Sequence, residues 1–302
     1  MSAEATQPAS VPFLSTSRQL RYRQIRGQVM RLLFLAATSV GILALVTLLW
    51  TVLDRGVPWL SWHLITDMPS RKPAEAGLNS ALWGTIWVIS LTAIIAFPIG
   101  VGAAIFLEEY APKSRWTKAL QVNISNLAGV PSVVYGLLGL GVFVQFMNIG
   151  RVVLAGALTM ALLSLPVIII SSQEAIRAVP LSLRQAAYGV GATRWQVVRH
   201  HVLPAAFPGI LTGTILAVSR AIGETAPVLV VGASAYIAHR PAGFLDGYTV
   251  LPMQIYGWTQ RSQGEFKNGL APAGIIVLLA VLLLMNSVAI ILRQRLSKRS
   301  PL

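Results

Sequence analysis

The sequence predicts an all-α membrane protein with about six transmembrane helices, and its composition is the first reason. Of its 302 residues, 55% are hydrophobic and only 11% are charged, whereas a soluble domain carries about 25% charged residues. The apolar residues form runs of about 20 or more, the length that a helix needs to cross a bilayer. The net charge of +14 is typical of basic cytoplasmic loops in membrane proteins, which explain it better than nucleic-acid binding does. The absence of cysteine excludes disulfides and thiolate metal sites.

Six apolar segments are predicted to span the membrane. They are residues 32–53, 81–107, 126–147, 152–172, 206–236 and 271–292. The first has 22 residues, more than the roughly 7–15 apolar residues of a cleavable signal peptide, so we interpret it as a transmembrane helix. Residues 1–31 and 294–302 form basic tails, and the first 17 residues are predicted to be disordered because they are small and polar.

The distribution of lysine and arginine predicts the orientation of these helices. With both termini in the cytoplasm, 16 of the 24 lysines and arginines lie in cytoplasmic segments and seven lie on the opposite side. This excess follows the positive-inside rule, and it favours an even number of spans. The remaining cation, Arg220, lies within the fifth span.

The loop between the fourth and fifth spans, residues 173–204, is predicted to hold two short helices joined by a glycine turn. Two pairs of residues fit capping boxes, in which each side chain bonds a free backbone N–H of the other residue: Ser182 with Gln185, and Thr193 with Gln196. The helices are expected at about 183–189 and 194–203. Gly191 lies in the turn between them, and Pro204 closes the unit.

Three functions are open to this loop. A helix–turn–helix for DNA is disfavoured, because the unit is held between two spans and lacks a third helix. The loop could also be an interfacial linker with its basic residues in water. The favoured interpretation is a docking element for a cytoplasmic partner, because Ala186 and Ala187 leave the first helix slim enough to enter a groove.

The same loop resembles the EAA motif of ABC-importer permeases, which reads E-A-A, three residues, G, nine residues, I-x-L-P. The residues that carry the resemblance are Gln185, Ala186, Ala187, Gly191, Leu203 and Pro204. The chain departs from the motif at two positions, where Gln185 replaces the usual glutamate and His201 replaces the isoleucine. In this family the loop is a coupling helix that docks on the ATP-binding subunit.

Four further stretches resemble the phosphate-transport permease family PstA. They are NLAGVPSVVYGLLGL (125–139), SLPVIIISSQEAIRAVP (164–180), LPAAFPGILTGTILAVSRAIGETAPVLVVGA (203–233) and LPMQIYGW (251–258). The resemblance implies an ABC type-1 transmembrane domain over residues 80–293, in a bacterial plasma membrane. It also implies a permease subunit, not itself an enzyme, that moves inorganic phosphate by alternating access.

The resemblance implies three partners: a second permease (PstC-like), an ATP-binding subunit dimer (PstB-like) and an extracytoplasmic phosphate-binding protein (PstS-like). No G-x-x-x-x-G-K-[ST] phosphate loop is present in the sequence. We therefore expect no cofactor in this chain, and ATP and Mg²⁺ on the ATP-binding subunit. A permease for sulfate, molybdate or phosphonate, an ion-gradient-driven transporter, and a membrane scaffold or sensor remain the alternatives.

Two charges lie inside the fifth span, four positions apart. At 100° per residue, Arg220 and Glu224 share one face of a helix with Gly209, Gly213 and Ala217. An arginine at the centre of a membrane helix costs about 2.5–3.5 kcal/mol, and such residues usually face a bundle interior or a wet pathway. The pair is then a structural ion pair, a lining of the phosphate route, or a gate that exchanges partners with the second permease.

Two irregular positions are predicted in the spans. The apolar region 205–238 has 34 residues, about 51 Å as one helix, although the bilayer core is only about 30 Å thick. A break is therefore expected at Gly223 and Pro227, beside the charges. In the third span, Pro131 predicts a kink that frees backbone groups for a ligand or for Ser132, unless it serves packing alone.

Overall fold

The computed structural model of the chain describes residues 17–234 and 236–297, and within these ranges it is built of helices and connecting loops, without a β-strand. Five of the helices in this part of the chain are long and apolar enough to cross a membrane, and there are six spans if one sharply bent pair counts as a single span. The predicted all-α fold with about six transmembrane helices is confirmed.

The chain divides into two compact units with a boundary between Thr51 and Val52. Helix α1 (Ser17–Gly56) provides the described part of the first unit and includes the predicted span 32–53. Its first turns lie in the predicted basic tail, so residues 17–31 are helical. The rest of the segment predicted to be disordered lies outside the described residues, as do residues 298–302 of the predicted C-terminal tail.

The second unit contains eleven helices within the described residues. They are α2 (Trp62–Thr66), α3 (Asn79–Ile105), α4 (Arg115–Ala128), α5 (Ser132–Gly139), α6 (Val153–Arg177), α7 (Leu181–Gly189), α8 (Arg194–Val197), α9 (Leu203–Gly223), α10 (Ala226–Val231), α11 (Leu251–Thr259) and α12 (Ala271–Ser297). Four π-helical segments extend or join them: Phe106–Tyr110 after α3, Leu140–Phe146 after α5, Val198–Val202 between α8 and α9, and Phe266–Leu270 before α12.

Helix α6 is the centre of the second unit, because α3, α4, α5, α9 and α10 all pack against it. Glycines allow two of these helices to approach closely. A Cβ at Gly100 of α3 would lie 2.7 Å from the Ile168 side chain, and a Cβ at Gly213 of α9 would overlap the side chain of Ser171. Small residues at these positions bring the backbones together, which is how helices gain packing energy in a membrane.

The predicted third span, 126–147, is sharply bent beside Pro131, the residue at which the sequence predicts a kink. Helix α4 ends at Ala128, and the helix that begins at Ser132 and continues to Phe146 is bent from it by 103°. Pro131 is the N-cap residue of α5, with φ −55° and ψ 136°. Its ring and missing N–H prevent α4 from continuing through it, so the chain turns at this point.

The 173–204 loop agrees with the prediction only in part. The Thr193–Gln196 capping box is confirmed: Gln196 N donates to Thr193 Oγ1 over 3.4 Å, and Thr193 N donates to Gln196 Oε1 over 2.8 Å. The Ser182–Gln185 box is wrong, because α7 begins at Leu181 and its N-cap residue is Pro180, without a side-chain cap. Pro180 has φ −55° and ψ 138°, as an N-cap residue requires, and its carbonyl accepts a hydrogen bond from Leu183 N over 3.3 Å, so the helix begins earlier than the box predicts.

The second loop helix does not end at residue 203. The helix that begins at Arg194 continues for 30 residues to Gly223, so Pro204 lies inside a long helix and does not close the unit. The preceding π-helical segment, Val198–Val202, changes the hydrogen-bond register before the proline. That change of register lets the helix pass a residue with no N–H.

Candidate functional site

The helix that carries the membrane charges is interrupted beside them. Helix α9 ends at Gly223, Glu224 is extended with φ −76° and ψ 122°, and α10 begins at Ala226. Pro227 occupies the first turn of α10, where a missing N–H is tolerated. The interruption lies between the two residues, Gly223 and Pro227, at which the sequence predicts a break.

Arg220 and Glu224 form an ion pair across this interruption. Arg220 Nε donates to Glu224 Oε1 over 3.3 Å, and 59% of the arginine side chain but only 20% of the glutamate side chain is exposed. The predicted helical position of Glu224 is wrong, because the helix ends one residue before it. The pair nevertheless forms, with the carboxylate turned inward and the guanidinium facing outward.

The small residues on the same face of α9 have a packing role. Ala217 and Gly213 are buried, and a Cβ at Gly209 would lie 2.8 Å from the Cβ of Ala175 in α6. Gly213 and Ala217 are therefore covered within the protein, whereas Gly209 approaches α6 closely but remains exposed. Arg220, near the end of the same face, is exposed beside the break.

Glu224 also borders a small cavity inside the protein. The cavity has a volume of about 10 Å³, and Thr85, Met160 and Val250 are among the residues that line it with Glu224. This is about the space that one water molecule occupies. The carboxylate thus lies between the exposed arginine and an interior gap lined by α3, α6, α9 and α10.

The two irregular positions predicted from the sequence are neighbours through their helices. Gly136 of α5 lies against α10: a Cβ there would be 2.8 Å from Pro227 Cα and 2.9 Å from Val230 Cβ. Ser132 is the first residue of α5 and is half-buried. Among the described residues, no hydrogen bond joins Ser132 to Arg220 or Glu224. The structure thus brings the two helices together without placing Ser132 at the ion pair.

The six predicted coupling residues do not share one surface. Gln185, Ala186 and Gly191 are exposed, and Gly191 has φ +84°, a left-handed backbone that favours glycine. Ala187, in contrast, is buried in the main core of the second unit. Leu203 and Pro204 are half-buried residues of the long helix.

Exposed apolar side chains surround the predicted coupling residues. They are Leu181, Tyr188, Val190 and Trp195, of which Val190 in the turn is 86% exposed. Large apolar residues that lie together on a surface are typical of a contact with another protein or a membrane. No sequence pattern predicts that these four side chains are exposed, although all of them lie within residues 173–204.

A charged network joins the end of α3 to this loop, and no local sequence pattern predicts it. Glu108 accepts hydrogen bonds from Gln173 and Arg177 of α6, whereas Glu109 accepts from Arg184 of α7. The two glutamates directly follow the predicted second span, 81–107. Their signal was two consecutive acids at a span end, in a chain whose 173–204 loop is rich in arginine.

The helical architecture is that of the transmembrane domain of an ABC transporter. A crystal structure of a bacterial alginate ABC transporter, in complex with its alginate-bound periplasmic protein, aligns with TM-score 0.63 over 92% of this chain and 98% of that chain, at 16% identity. An inward-facing structure of the MetNI methionine ABC transporter aligns with TM-score 0.54 over 72% of this chain and 94% of that chain, at 17% identity. At these identities the likeness shows the fold alone.

Residues 96–300 match the family described as "Binding-protein-dependent transport system inner membrane component". The chain belongs to this family: it is an ABC transporter permease, and it crosses the inner membrane several times. Permeases of the family work with an ATPase and a binding protein. The matched region includes the interrupted helix, the ion pair and the 173–204 loop.

Curated relatives cover most of the chain. The phosphate transport system permease protein PstA 1 of Mycobacterium tuberculosis H37Rv is 31% identical over 97% of this chain and 95% of its own length. PstA of Yersinia pestis is 30% identical over 91% of this chain and 92% of its own length. The probable ABC transporter permease protein YqgH of Bacillus subtilis is 36% identical over 80% of this chain and 76% of its own length.

Proposed function

We propose that this chain is the permease subunit of an ATP-driven importer that moves inorganic phosphate by alternating access. The observation that carries the proposal is the exposed guanidinium of Arg220, which is paired with a mostly buried carboxylate at the break in a membrane helix. The similarity to relatives named as phosphate permeases over nearly the whole chain supports the same substrate.

The geometry of the pair suits transient binding of an oxyanion. The ion pair engages Nε of Arg220, and the terminal nitrogens of its planar fork match the oxygens of phosphate. An arginine alone would hold a doubly charged anion too tightly for turnover. Glu224 weakens that hold by repulsion, so the pair acts as a checkpoint that phosphate passes.

A stabilising role explains the pair less well. An ion pair with one partner more than half exposed contributes only about 0–1 kcal/mol, whereas a charged side chain within a membrane-spanning segment is costly to insert. A leucine at position 220 would avoid that cost. The second candidate for this pair is a gate, in which Arg220 exchanges Glu224 for a charge on the second permease. The interruption of the helix beside Glu224 favours motion at this point.

Alternating access requires the membrane helices to respond to a partner that hydrolyses ATP. We place the contact with a PstB-like subunit dimer, which would hold ATP and Mg²⁺, on α7 and the turn at Gly191, where the exposed apolar residues lie. If α7 and the turn at Gly191 contact a cytoplasmic subunit, both termini of the chain also lie in the cytoplasm. A PstC-like permease would close the pathway, and a PstS-like protein would deliver phosphate from outside to the domain that spans residues 80–293.

The substrate is the finer part of the proposal. Relatives that are named only as probable permeases, such as YqgH, leave room for another oxyanion. Sulfate, molybdate and phosphonate share the tetrahedral shape that Arg220 would recognise. Uptake of labelled phosphate in the presence of each competitor separates these substrates, because only the true substrate competes at low concentration.

The test is phosphate uptake by a strain that lacks the gene, complemented with wild type, Arg220→Gln or Arg240→Gln. Arg240 is an exposed arginine of the connecting loop between α10 and α11, so it controls for the loss of one positive charge. Loss of a hydrogen bond to a charged group costs about 1.5–3 kcal/mol, so we expect uptake to fall at least about tenfold in Arg220→Gln. Arg240→Gln should retain wild-type uptake.

Membrane levels of the protein and of its assembled complex are measured in all three strains. Uptake at the wild-type rate in Arg220→Gln, at equal expression, would refute a functional role for the pair. Failure of the wild-type chain itself to restore phosphate uptake would refute phosphate as the substrate.

A further inference from the structure

The end of α3 is tied to two other helices by adjacent carboxylates. Glu108 and Glu109 lie in the π-helical segment Phe106–Tyr110. Glu108 bonds Arg177 in α6, while Glu109 bonds Arg184 in α7. Consecutive side chains on a helix do not face the same neighbour, so this one turn reaches both helices at once.

Arg184 connects three elements with one guanidinium group. Its Nε and Nη2 donate to Glu109 Oε1 over 3.2 and 3.0 Å. Its Nη1 donates to the Val179 carbonyl over 2.6 Å, and its Nη2 to the Ile176 carbonyl over 2.8 Å. These carbonyls belong to the last turn of α6 and the residues that follow it. The side chain therefore joins the end of α3, the end of α6 and its own helix, α7.

The Glu109–Arg184 pair, which we call the clamp, is shielded from water. Its side chains are 9% and 15% exposed, whereas Glu174, the outer partner of Arg177, is 65% exposed. Separation of a buried pair leaves an uncompensated charge, which is far less favourable than separation of a surface pair. The clamp thus resists a relative movement of α7 and α3 that a surface ion pair would permit.

A second connection leads from the same loop to the ion pair in the membrane. The guanidinium of Arg194, at the start of α8, lies 5.1 Å from the ring centre of Tyr110 at the end of the π-helical segment. From Arg194 the helix continues without interruption to Gly223, one residue before Glu224. We therefore expect a displacement of α7 and α8 to reach both α3 and the helix that holds Arg220.

We propose that Glu109 and Arg184 are positioning residues that convert movement of the ATP-binding subunit at α7 into movement of α3. This inference rests on the proposed function, in which α7 receives that movement. The clamp does not contact phosphate in this mechanism. It holds α7 and α3 as one body, so that ATP hydrolysis and the opening of the pathway occur together.

The test uses the complete transporter in proteoliposomes and measures phosphate imported per ATP hydrolysed. Glu109→Gln removes the charge and keeps the size of the side chain, while Glu174→Gln removes the exposed partner of Arg177 and serves as the matched control. We expect the ratio to fall by about fivefold or more in Glu109→Gln, with ATP hydrolysis within about twofold of wild type. Glu174→Gln should keep the wild-type ratio. Arg184→Lys keeps the charge and restores only part of the geometry, so its ratio should lie between the two.

A residue that only stabilises the fold would lower import and hydrolysis together and leave their ratio unchanged. An unchanged ratio in assembled Glu109→Gln transporter therefore overturns the clamp's role. If Glu109→Gln does not assemble, the ratio of Arg184→Lys decides by the same criterion. The wild-type measurement is separate: absence of ATP-dependent phosphate import by wild type refutes the proposed function itself, and the inference fails with it.

Discussion

The contact between α5 and α10 leads to the most specific prediction, the effect of Gly136→Ala. A Cβ at Gly136 would lie 2.8 Å from Pro227 Cα, 2.9 Å from Val230 Cβ and 3.0 Å from the Pro227 carbonyl oxygen. Ordinary contacts of a Cβ begin at about 3.4 Å, so α5 and α10 would have to separate by about 0.4–0.6 Å. Two of the three atoms are backbone, and a change of rotamer cannot relieve their overlap.

Overpacking of this kind costs about 1–3 kcal/mol. Replacement of glycine by alanine in a helix also gains up to about 1 kcal/mol, which would mask part of the effect. Gly141, in the π-helical continuation of α5, has no atom within 4 Å of the Cβ position. Gly141→Ala therefore shares the helical gain without the overlap, and the difference between the two variants isolates the contact.

The assay is thermal unfolding of the purified chain in detergent, with phosphate uptake in cells as the functional readout. A difference of 1–3 kcal/mol corresponds to about 2–12 °C for a domain of this size. We expect the unfolding temperature of Gly136→Ala to lie below that of Gly141→Ala by that interval. We also expect Gly136→Ala to transport phosphate more slowly, because α10 follows the break at Glu224. If Gly136→Ala is as stable as Gly141→Ala, the close approach of α5 and α10 is refuted.

Three further predictions concern single residues. The free energy of unfolding of Glu224→Gln should lie within about 1 kcal/mol of the wild-type value, because the partner of Glu224, Arg220, is exposed. Phosphate uptake should fall while ATP hydrolysis persists. Uptake at the wild-type rate would contradict the proposed role of Glu224. Gly191→Val should lower the unfolding free energy by about 1–2 kcal/mol, because φ of Gly191 is +84°. The control Gly189→Ala should not lower it, because no atom lies within 4 Å of the Cβ position of Gly189. Equal melting temperatures of the two variants would argue against a left-handed turn at Gly191. Tyr248 is buried, its hydroxyl has no hydrogen-bond partner among the described residues, and burial raises the pKa of its phenol. Tyr248→Phe should therefore leave the free energy of unfolding unchanged or raise it in the same assay. A decrease of more than about 1 kcal/mol would reveal a hydrogen bond made by this hydroxyl.

Local chemistry explains which parts of the fold could be predicted from the sequence. The mismatch between a long apolar run and the bilayer, together with Pro227, predicts a break at the position where α9 ends and α10 begins. The Thr193–Gln196 box was predictable from the spacing of its two residues, and it forms because the helix begins directly after Thr193. The Ser182–Gln185 box has the same spacing, but Pro180 starts the helix first. The capping-box spacing predicts a helix that begins after Ser182, whereas Pro180 favours an earlier start. The spacing alone did not show which start the helix would adopt.

The remaining features depend on residues that are distant in sequence. Arg184 and Glu109 are 75 positions apart, and no local pattern pairs them. The slim face of α9 predicted a close helix approach, but only the fold shows that α6 covers Gly213 while Arg220 remains exposed. The helix continues through Pro204 because a π-helical segment precedes that proline. The spacing of apolar residues in the sequence does not predict this segment.

The measurement that tests the central claim most directly is phosphate uptake by proteoliposomes that contain this chain, its partner permease and the ATP-binding subunits, with the binding protein outside. The proposal predicts uptake that requires ATP and the binding protein, persists when an uncoupler abolishes ion gradients, and is not reduced by excess sulfate. Uptake that proceeds without ATP and collapses with the uncoupler, or sulfate transport at the same rate as phosphate transport, would contradict it.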